Sequence, residues 1–570
     1  MNKFFSLLLC GLMAVLLSSC GGGNSQTNSR ASTLVHIYIA DFDFLNPVVL
    51  QESTSREICN LIFPRLLKEG FDSSLGLVTY APLFAKSWDI TDSNRTLTYH
   101  LRNDVNWTDG KPVTSKDWKF TYILYADTMV ASTRQNFTDN FLKGGDGRPS
   151  VEKAVQTPDD TTLIIRFDQP MAKESMFKYT NLGFIAAHVW KDLDRKFIRK
   201  DDRNFNPAKI IGAGPYKVEK WTRNQECVLI ANEQCTLPYT PKIKRFVTRF
   251  VPEYTTRLTQ LKTGEADFVQ QLLPNDAVVL ERDNPNTEIR ERGYMVYDYI
   301  AWMNIDNEHY NKTHKEKDIR PHPVFGSKKV RQALTTAINR RAIIEGFLKG
   351  FGKTGDSDIP PVAKWATNPN LNHYDYNPDK AKAMLKEEGW KIGSDGILEK
   401  SGRKFSFKLI INAGNARRNY AATIVQQNLK DIGIDCTVEP MESNVLMERN
   451  RKREVECFLF GWNITPPDVD PSETRGSDLQ RTPFNLVAYQ NKKADELIAE
   501  GKAKLNVLDG AEIWKEYATL INEDQPETIL YWFTPLDGIN KRVKNAIISP
   551  AGVFANFYDW ELTDAAVGAK

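Results

Sequence analysis

The chain has 570 residues, 41% of them hydrophobic, with 75 Lys and Arg against 72 Asp and Glu for a net charge of +3. Charge this close to balance lacks the strongly basic face that marks a nucleic-acid partner, so that ligand class is excluded. Length alone suggests three or four domains at about 150 residues each, whereas the order of elements suggests interleaved lobes.

Lys3 precedes an apolar run from Phe4 to Leu17. It is shorter than the ~20 residues of a bilayer span and suits a secretory signal. Leu17-Ser18-Ser19-Cys20 closes it, and a Cys after two small residues is similar to a bacterial lipobox. Residues 1–19 therefore read as a signal peptide, Cys20 as the lipidated first residue of the mature chain, and the polar segment 20–32 as a flexible tether. No later apolar run is long enough to span, so the body is expected outside the cytoplasm, held to the membrane through the lipid on Cys20. Cys59, Cys227, Cys235, Cys436 and Cys457 remain, an odd number that leaves at least one thiol free.

The apolar run Leu34 to Ala40 predicts a strand. Leu45-Asn46-Pro47 follows, then a helix patterned by Ile58, Leu61, Ile62 and Leu66. Leu97, Tyr99 and Leu101 alternate with Thr98, His100 and Arg102, as in a strand with one buried face. Asp109-Gly110 then turns the chain, and Thr114 with Asp117 spells a capping box for the next helix. Leu163, Ile165 and Phe167 give another half-buried strand. Gly212-Ala213-Gly214-Pro215 predicts a close backbone approach feeding an edge strand, with a hairpin from Tyr216 to Ala231 behind it. Strand 243–251, helix 253–263 and strand 266–270 read as one β-α-β unit; strand 405–411, helix 416–431 and strand 434–438 read as a second. Between them, Val330, Leu334, Ala337, Ile338 and Ile344 recur at helical spacing, and Asn377-Pro378 supplies a cap and a first-turn proline. Two such units far apart imply two α/β lobes.

Several of these stretches, in this order, carry a resemblance. Trp107 with Asp109-Gly110-Lys111-Pro112-Val113-Thr114 and Asp117, Pro82-Leu83 with Trp88, Gly212 to Tyr216, Leu261 with Gly264 and Asp267, Tyr299 to Asn304, Lys329 to Leu334, and Glu523-Asp524-Gln525-Pro526 resemble the signatures of the family 5 extracellular solute-binding proteins, the dipeptide and oligopeptide receptors of ABC importers. The resemblance runs from about Leu45 to Tyr531. It implies an α/β, two-lobed periplasmic-binding-protein-like fold (type II, large class) with an inserted β-rich subdomain. Residues 33–75, 205–298 and 525–570 are expected to form the first lobe, 76–204 the insertion and 299–524 the second lobe.

The resemblance also implies the function: a lipid-anchored, monomeric receptor that closes on a peptide and delivers it to ABC permease subunits, with no cofactor and no catalytic group. A non-peptide solute such as a sugar or metal chelate, or a sensor or scaffold role without a permease, are the alternatives. Cys436 with Cys457 is the disulfide it implies. Its cleft residues map onto Asn46, Trp302, Asn304, Trp462 and Asn463. In such receptors an Asp shortly after a Trp takes the peptide ammonium. Here Thr465 stands where the acid often comes, and Asp468 or Asp470 follows two prolines; Asp468 is favoured, and plain turn residues are the competing reading. Arg417 or Arg418 is expected to meet the peptide carboxylate.

Enzymatic signatures are weak. Gly350-Phe351-Gly352-Lys353-Thr354-Gly355 fits a dinucleotide pattern but follows a helix where the fingerprint must follow a strand. The seven histidines lack zinc-site spacing, His309, His314 and His322 reading as part of a polar insertion, and no Gly-x-Ser-x-Gly elbow occurs.

Overall fold

The computed structural model describes residues 30–63, 65–313, 318–464, 468–482 and 484–563. The signal, Cys20, most of the tether and Thr465 to Pro467 lie outside the described residues. Two sheets organise the chain. The first has seven strands in the order Thr287–Glu291, Leu536–Asn540, Phe268–Val269, Thr33–Tyr38, Arg245–Phe250, Glu226–Ala231, Tyr216–Thr222. Its central strand Thr33–Tyr38 is buried along its whole length and runs parallel to both neighbours, as a continuous apolar run covered on both faces does. The first expected β-α-β unit therefore brackets this strand: its two strands flank Thr33–Tyr38 and do not pair with each other.

The second sheet has six strands, Gly352–Lys353, Glu527–Phe533, Val296–Trp302, Cys457–Asn463, Ser406–Asn412 and Asp435–Met441. Here the second β-α-β unit forms as read: Ser406–Asn412 and Asp435–Met441 pair in parallel and helix Ala416–Lys430 joins them. Strand Glu527–Phe533 belongs to this sheet, although its residues were expected in the first lobe from 525 onward. The chain returns only with Leu536–Asn540, and on the outward crossing strand Val296–Trp302 already lies wholly in the second sheet. Arg292 and Asp537 bind each other at 2.5 and 2.7 Å and tie the two crossings together, while the Gly293 N–H donates to Thr534 Oγ1 at 3.0 Å.

The insertion carries a four-stranded sheet, Ala85–Thr91, Thr96–Leu101, Thr162–Arg166 and Val155–Asp159, beside the hairpin Leu67–Asp72 and Leu77–Pro82. Leu97, Tyr99 and Leu101 are buried and their neighbours half-exposed, as the alternation predicts. Thr114 and Asp117 close the capping box on helix Ser115–Ala126, the Thr114 N–H donating to Asp117 Oδ2 at 2.9 Å. The insertion shares one hydrophobic core with the first lobe. Within the first lobe, glycines 212 and 214 let the chain pass against the end of helix Ser53–Ile62, since a Cβ on either would stand 2.4 or 2.5 Å from the carbonyl oxygen of Ile62 or Leu61.

The helical spacing from Val330 is divided between two helices, and the expected Cys436–Cys457 disulfide does not form. The apolar spacing from Val330 to Ile344 covers two helices, Lys328–Thr336 and Arg340–Gly346, because the Asn339 side chain accepts the Ala342 N–H and caps a new start. Cys436 and Cys457 are both buried free thiols. Strand Ser406–Asn412 lies between their strands. At ~4.8 Å per strand their backbones stand farther apart than the ~7 Å a disulfide reaches.

Candidate functional site

A cavity of about 700 Å3 lies between the lobes and shares lining residues with a second of about 960 Å3 against the insertion. The first wall is built on helix Ser53–Ile62, whose Ile58, Leu61 and Ile62 are buried in the core. Ser53, Arg56, Glu57 and Asn60, at i, i+3, i+4 and i+7, form the face turned to the cavity. Helix Lys173–Thr180 of the insertion adds Lys178 and Tyr179. The second wall is the end of strand Cys457–Asn463, which delivers Trp462 and Asn463, then the segment from Asp468 to Thr474, with Tyr297 and Asp358 in the lining.

The walls touch. Lys178 of the insertion binds Asp468 of the second lobe directly across the cleft. The Trp365 N–H donates to the Leu75 carbonyl at 3.0 Å, and Lys364 Nζ to the Ser73 carbonyl at 2.7 Å, so the insertion's hairpin also rests on the second lobe. Burial acts to raise the Asp468 carboxyl, but the Lys178 charge and hydrogen bond outweigh it and hold the group below the ordinary carboxylate range. Asp470 pairs with Lys502 at 3.1 Å and accepts the Ser472 N–H at 2.9 Å.

Below Asp468, the second wall has a buried cluster. Arg475 stands 2.9 Å from Asp358 and donates to Glu527 at 2.5 Å; Tyr517 donates to Asp358 at 3.1 Å. Asp358 Oδ1 is buried without a hydrogen-bond partner among the described residues. Burial, against the pull of Arg475, pushes Glu527 up to about 7.

Of the residues expected at the site, Trp462, Asn463, Asp468 and Asp470 line the cavity. Trp462 meets Phe484 edge-on at 5.6 Å between ring centres. Asn46 is instead buried and bonded to Asn204 at 2.9 Å. Trp302 lies fully buried in the second lobe with its indole on Thr528, and Asn304 donates to the carbonyls of Trp302 and Pro526. Arg417 and Arg418 do not line the cavity; both bind buried Asp298, at 2.7 and 2.9 Å, and Tyr531 donates to the same carboxylate at 2.8 Å. His309 is bonded to Asp318 and His322 lies 3.3 Å from Glu456, while His314 falls outside the described residues.

Sequence reasoning missed Arg56, Lys178, Tyr297 and Asp358. The spacing of Arg56 opposite the apolar face of its helix was a usable signal; Lys178 and Asp358 reach the cleft only through the tertiary fold.

The profile of the family described as "Bacterial extracellular solute-binding proteins, family 5 Middle" matches residues 79–476. The oligopeptide-binding protein AppA of Bacillus subtilis is 28% identical over 539 residues, 91% of each chain. Heme-binding protein A of Haemophilus influenzae is 24% identical over 95% of each chain, and the dipeptide-binding protein of Escherichia coli 24% over 92% of this chain and 93% of that one. The solved structure of the Bacillus subtilis AppA, in complex with a nonapeptide, superposes with a TM-score of 0.71 at 25% identity, covering 93% of this chain and 99% of that one. With its two lobes, its inserted sheet and a cleft lined from both sides, the chain belongs to the family 5 bacterial extracellular solute-binding proteins.

Proposed function

We propose that this chain is the substrate-binding component of an ABC importer, taking peptides between its lobes and handing them to membrane permease subunits. One observation carries the reading: the cavity is lined by both lobes and bridged by Lys178 and Asp468, so a ligand touching both walls stabilises the closed form. The nonapeptide held by AppA supports a peptide as that ligand. The task is differential affinity, with no bond made or broken. Cys20 anchors the protein by lipid, and the body works as a monomer outside the cytoplasm.

In this reading Asp468, helped by Asp470, receives the peptide ammonium, displacing Lys178 as it does so. Calorimetry with a short peptide and its N-acetylated form tests it. Acetylation, or Asp468→Asn, is expected to cost about 2 kcal/mol of binding, at the low end for a buried charged contact; equal affinity for the two peptides in wild type rejects the amine anchor. The Haemophilus relative named for heme favours a second reading, a non-peptide solute. Native mass spectrometry of the protein as purified separates the two by the mass of the co-purifying ligand.

A further inference from the structure

The first-lobe end of the cavity gathers three arginines that an ammonium anchor leaves without a task. Arg56 stands on the cleft face of its helix, Arg65 just beyond the helix end, and Arg134 beside the short helical turn Gln135–Thr138; all line the cavity. Their charges act on one another. Burial first, and then Arg56 and Arg65, push Arg134 down to about 10, and burial with Arg65 lowers Arg56. Like charges gathered in a part-buried place are unfavourable unless a counter-charge arrives.

The neighbouring acids do not supply it. Glu69 is taken by Arg65 at 2.7 Å. Glu57 accepts hydrogen bonds from Tyr38 and Gln270, and Asp139 forms no ion pair among the described residues. Arg56 Nε is buried with no acceptor among the described residues. Arg134 lies over the face of Phe137 at 4.7 Å and makes no ion pair among the described residues. On the opposite wall stand Asp468, Asp470 and Glu473, so the second-lobe side of the cavity is acidic and faces the arginines.

We propose that Arg56 and Arg134, with Arg65 behind them, form an anion site that holds a carboxylate of the bound ligand and so favours ligands that carry one there. The planar guanidinium forks suit a carboxylate, which can accept two parallel N–H bonds from each. The proposal rests on the cleft being the ligand site. The carboxylate is either a peptide C-terminus or an acidic side chain.

Calorimetry on wild type, Arg134→Gln and the double variant Arg56→Gln/Arg134→Gln, using a tripeptide as free acid and as C-terminal amide, each with a central Glu or Gln, separates these sources. The variants are expected to lose ~10-fold or more in affinity for the carboxylate-bearing peptides and far less for the uncharged one. Sensitivity to amidation identifies the C-terminus, and sensitivity to Glu against Gln the side chain. Equal affinities of wild type and variants for every peptide overturn the site. Should no peptide bind wild type, the peptide reading falls, and succinate decides the anion site: a rise in wild-type melting temperature that the variants lack supports it, and equal responses overturn it. Removal of crowded charge should leave the ligand-free melting temperature unchanged or higher; a fall in both variants assigns the arginines to the fold and overturns the proposal.

Discussion

Two sets of arginines in this molecule read one way in sequence and behave the other way in structure. Arg417 and Arg418 open helix Ala416–Lys430, side by side, as an anion site would be written. Yet Asp298, 119 and 120 residues away, takes both guanidiniums from inside the second sheet, where its side chain has no exposure. Arg56 and Arg134 are 78 residues apart, carry no motif, and line one cleft with no ion pair among the described residues. A positive charge is available to a ligand only when the fold withholds its counter-ion, and proximity in sequence does not reveal that.

The comparison breaks most readily at Asp298. Replacing Asp298 by Asn leaves two part-buried guanidiniums without their counter-ion and weakens the acceptor for Tyr531. Loss of one member of such a buried set costs about 3–5 kcal/mol, to be read as a lower urea midpoint. Burial opposes the ionised Asp298, but Arg417 and Arg418 prevail and hold its carboxyl below the usual 3.8. Its stabilisation is therefore present above that value and is lost as pH falls through the lower folded pKa. A change under about 1 kcal/mol would show that the two arginines do not depend on Asp298 as their counter-ion.

The Arg475 cluster inverts the count, with one arginine serving two acids, Asp358 and Glu527. Glu527 is raised from 4.5 to about 7, so the folded state holds a proton that the unfolded chain releases. That stabilisation is complete below about pH 4.5 and disappears as pH rises through about 7. Urea titrations across this window should show a decline of about 3 kcal/mol, which Glu527→Gln flattens. An unchanged slope in the variant would assign the titration elsewhere.

These clusters also mark how far the sequence could be read. Local chemistry was legible: the alternation at Leu97, Tyr99 and Leu101, the capping box at Thr114 and Asp117, and the cap at Asn377 with Pro378 each depend on neighbours in the chain. The crossings between lobes were less so. Strand Glu527–Phe533 is apolar enough for either sheet, and only pairing with Val296–Trp302 places it. In the cavity lining, Trp462, Asn463, Asp468 and Asp470 follow one another along a single strand and loop, so one resemblance reaches all four positions. Asn46, Trp302 and Asn304 occupy motif positions, but their polar atoms are spent inside the fold. Lys178 gave no signal, because its partner lies 290 residues away.

That partner sets the smallest expected effect, at the bridge that closes the cleft. Lys178 and Asp468 keep 34% and 38% of their side-chain surface exposed, so solvent screens the pair and it contributes at most about 1 kcal/mol. The hairpin contacts at Leu75 and Ser73, where a backbone N–H and the Lys364 ammonium donate to carbonyls, hold the same closure without an ion pair and survive its loss. Even so, about 1 kcal/mol shifts an open-to-closed ratio roughly fivefold. Lys178→Met should therefore raise the radius of gyration of the ligand-free protein slightly in small-angle scattering. Wild type should approach the variant as salt rises to about 0.5 M, since an exposed pair is screened and the backbone contacts are not. The same variant leaves Asp468 unpaired and open to a ligand ammonium, so peptide affinity is expected to hold or improve while closure without ligand weakens. If the radius and its salt response match wild type, the pair bridges the cleft without holding it. Closure then belongs to the hairpin, and the arginine-lined wall is brought to its partner by the hydrogen bonds to the Leu75 and Ser73 carbonyls.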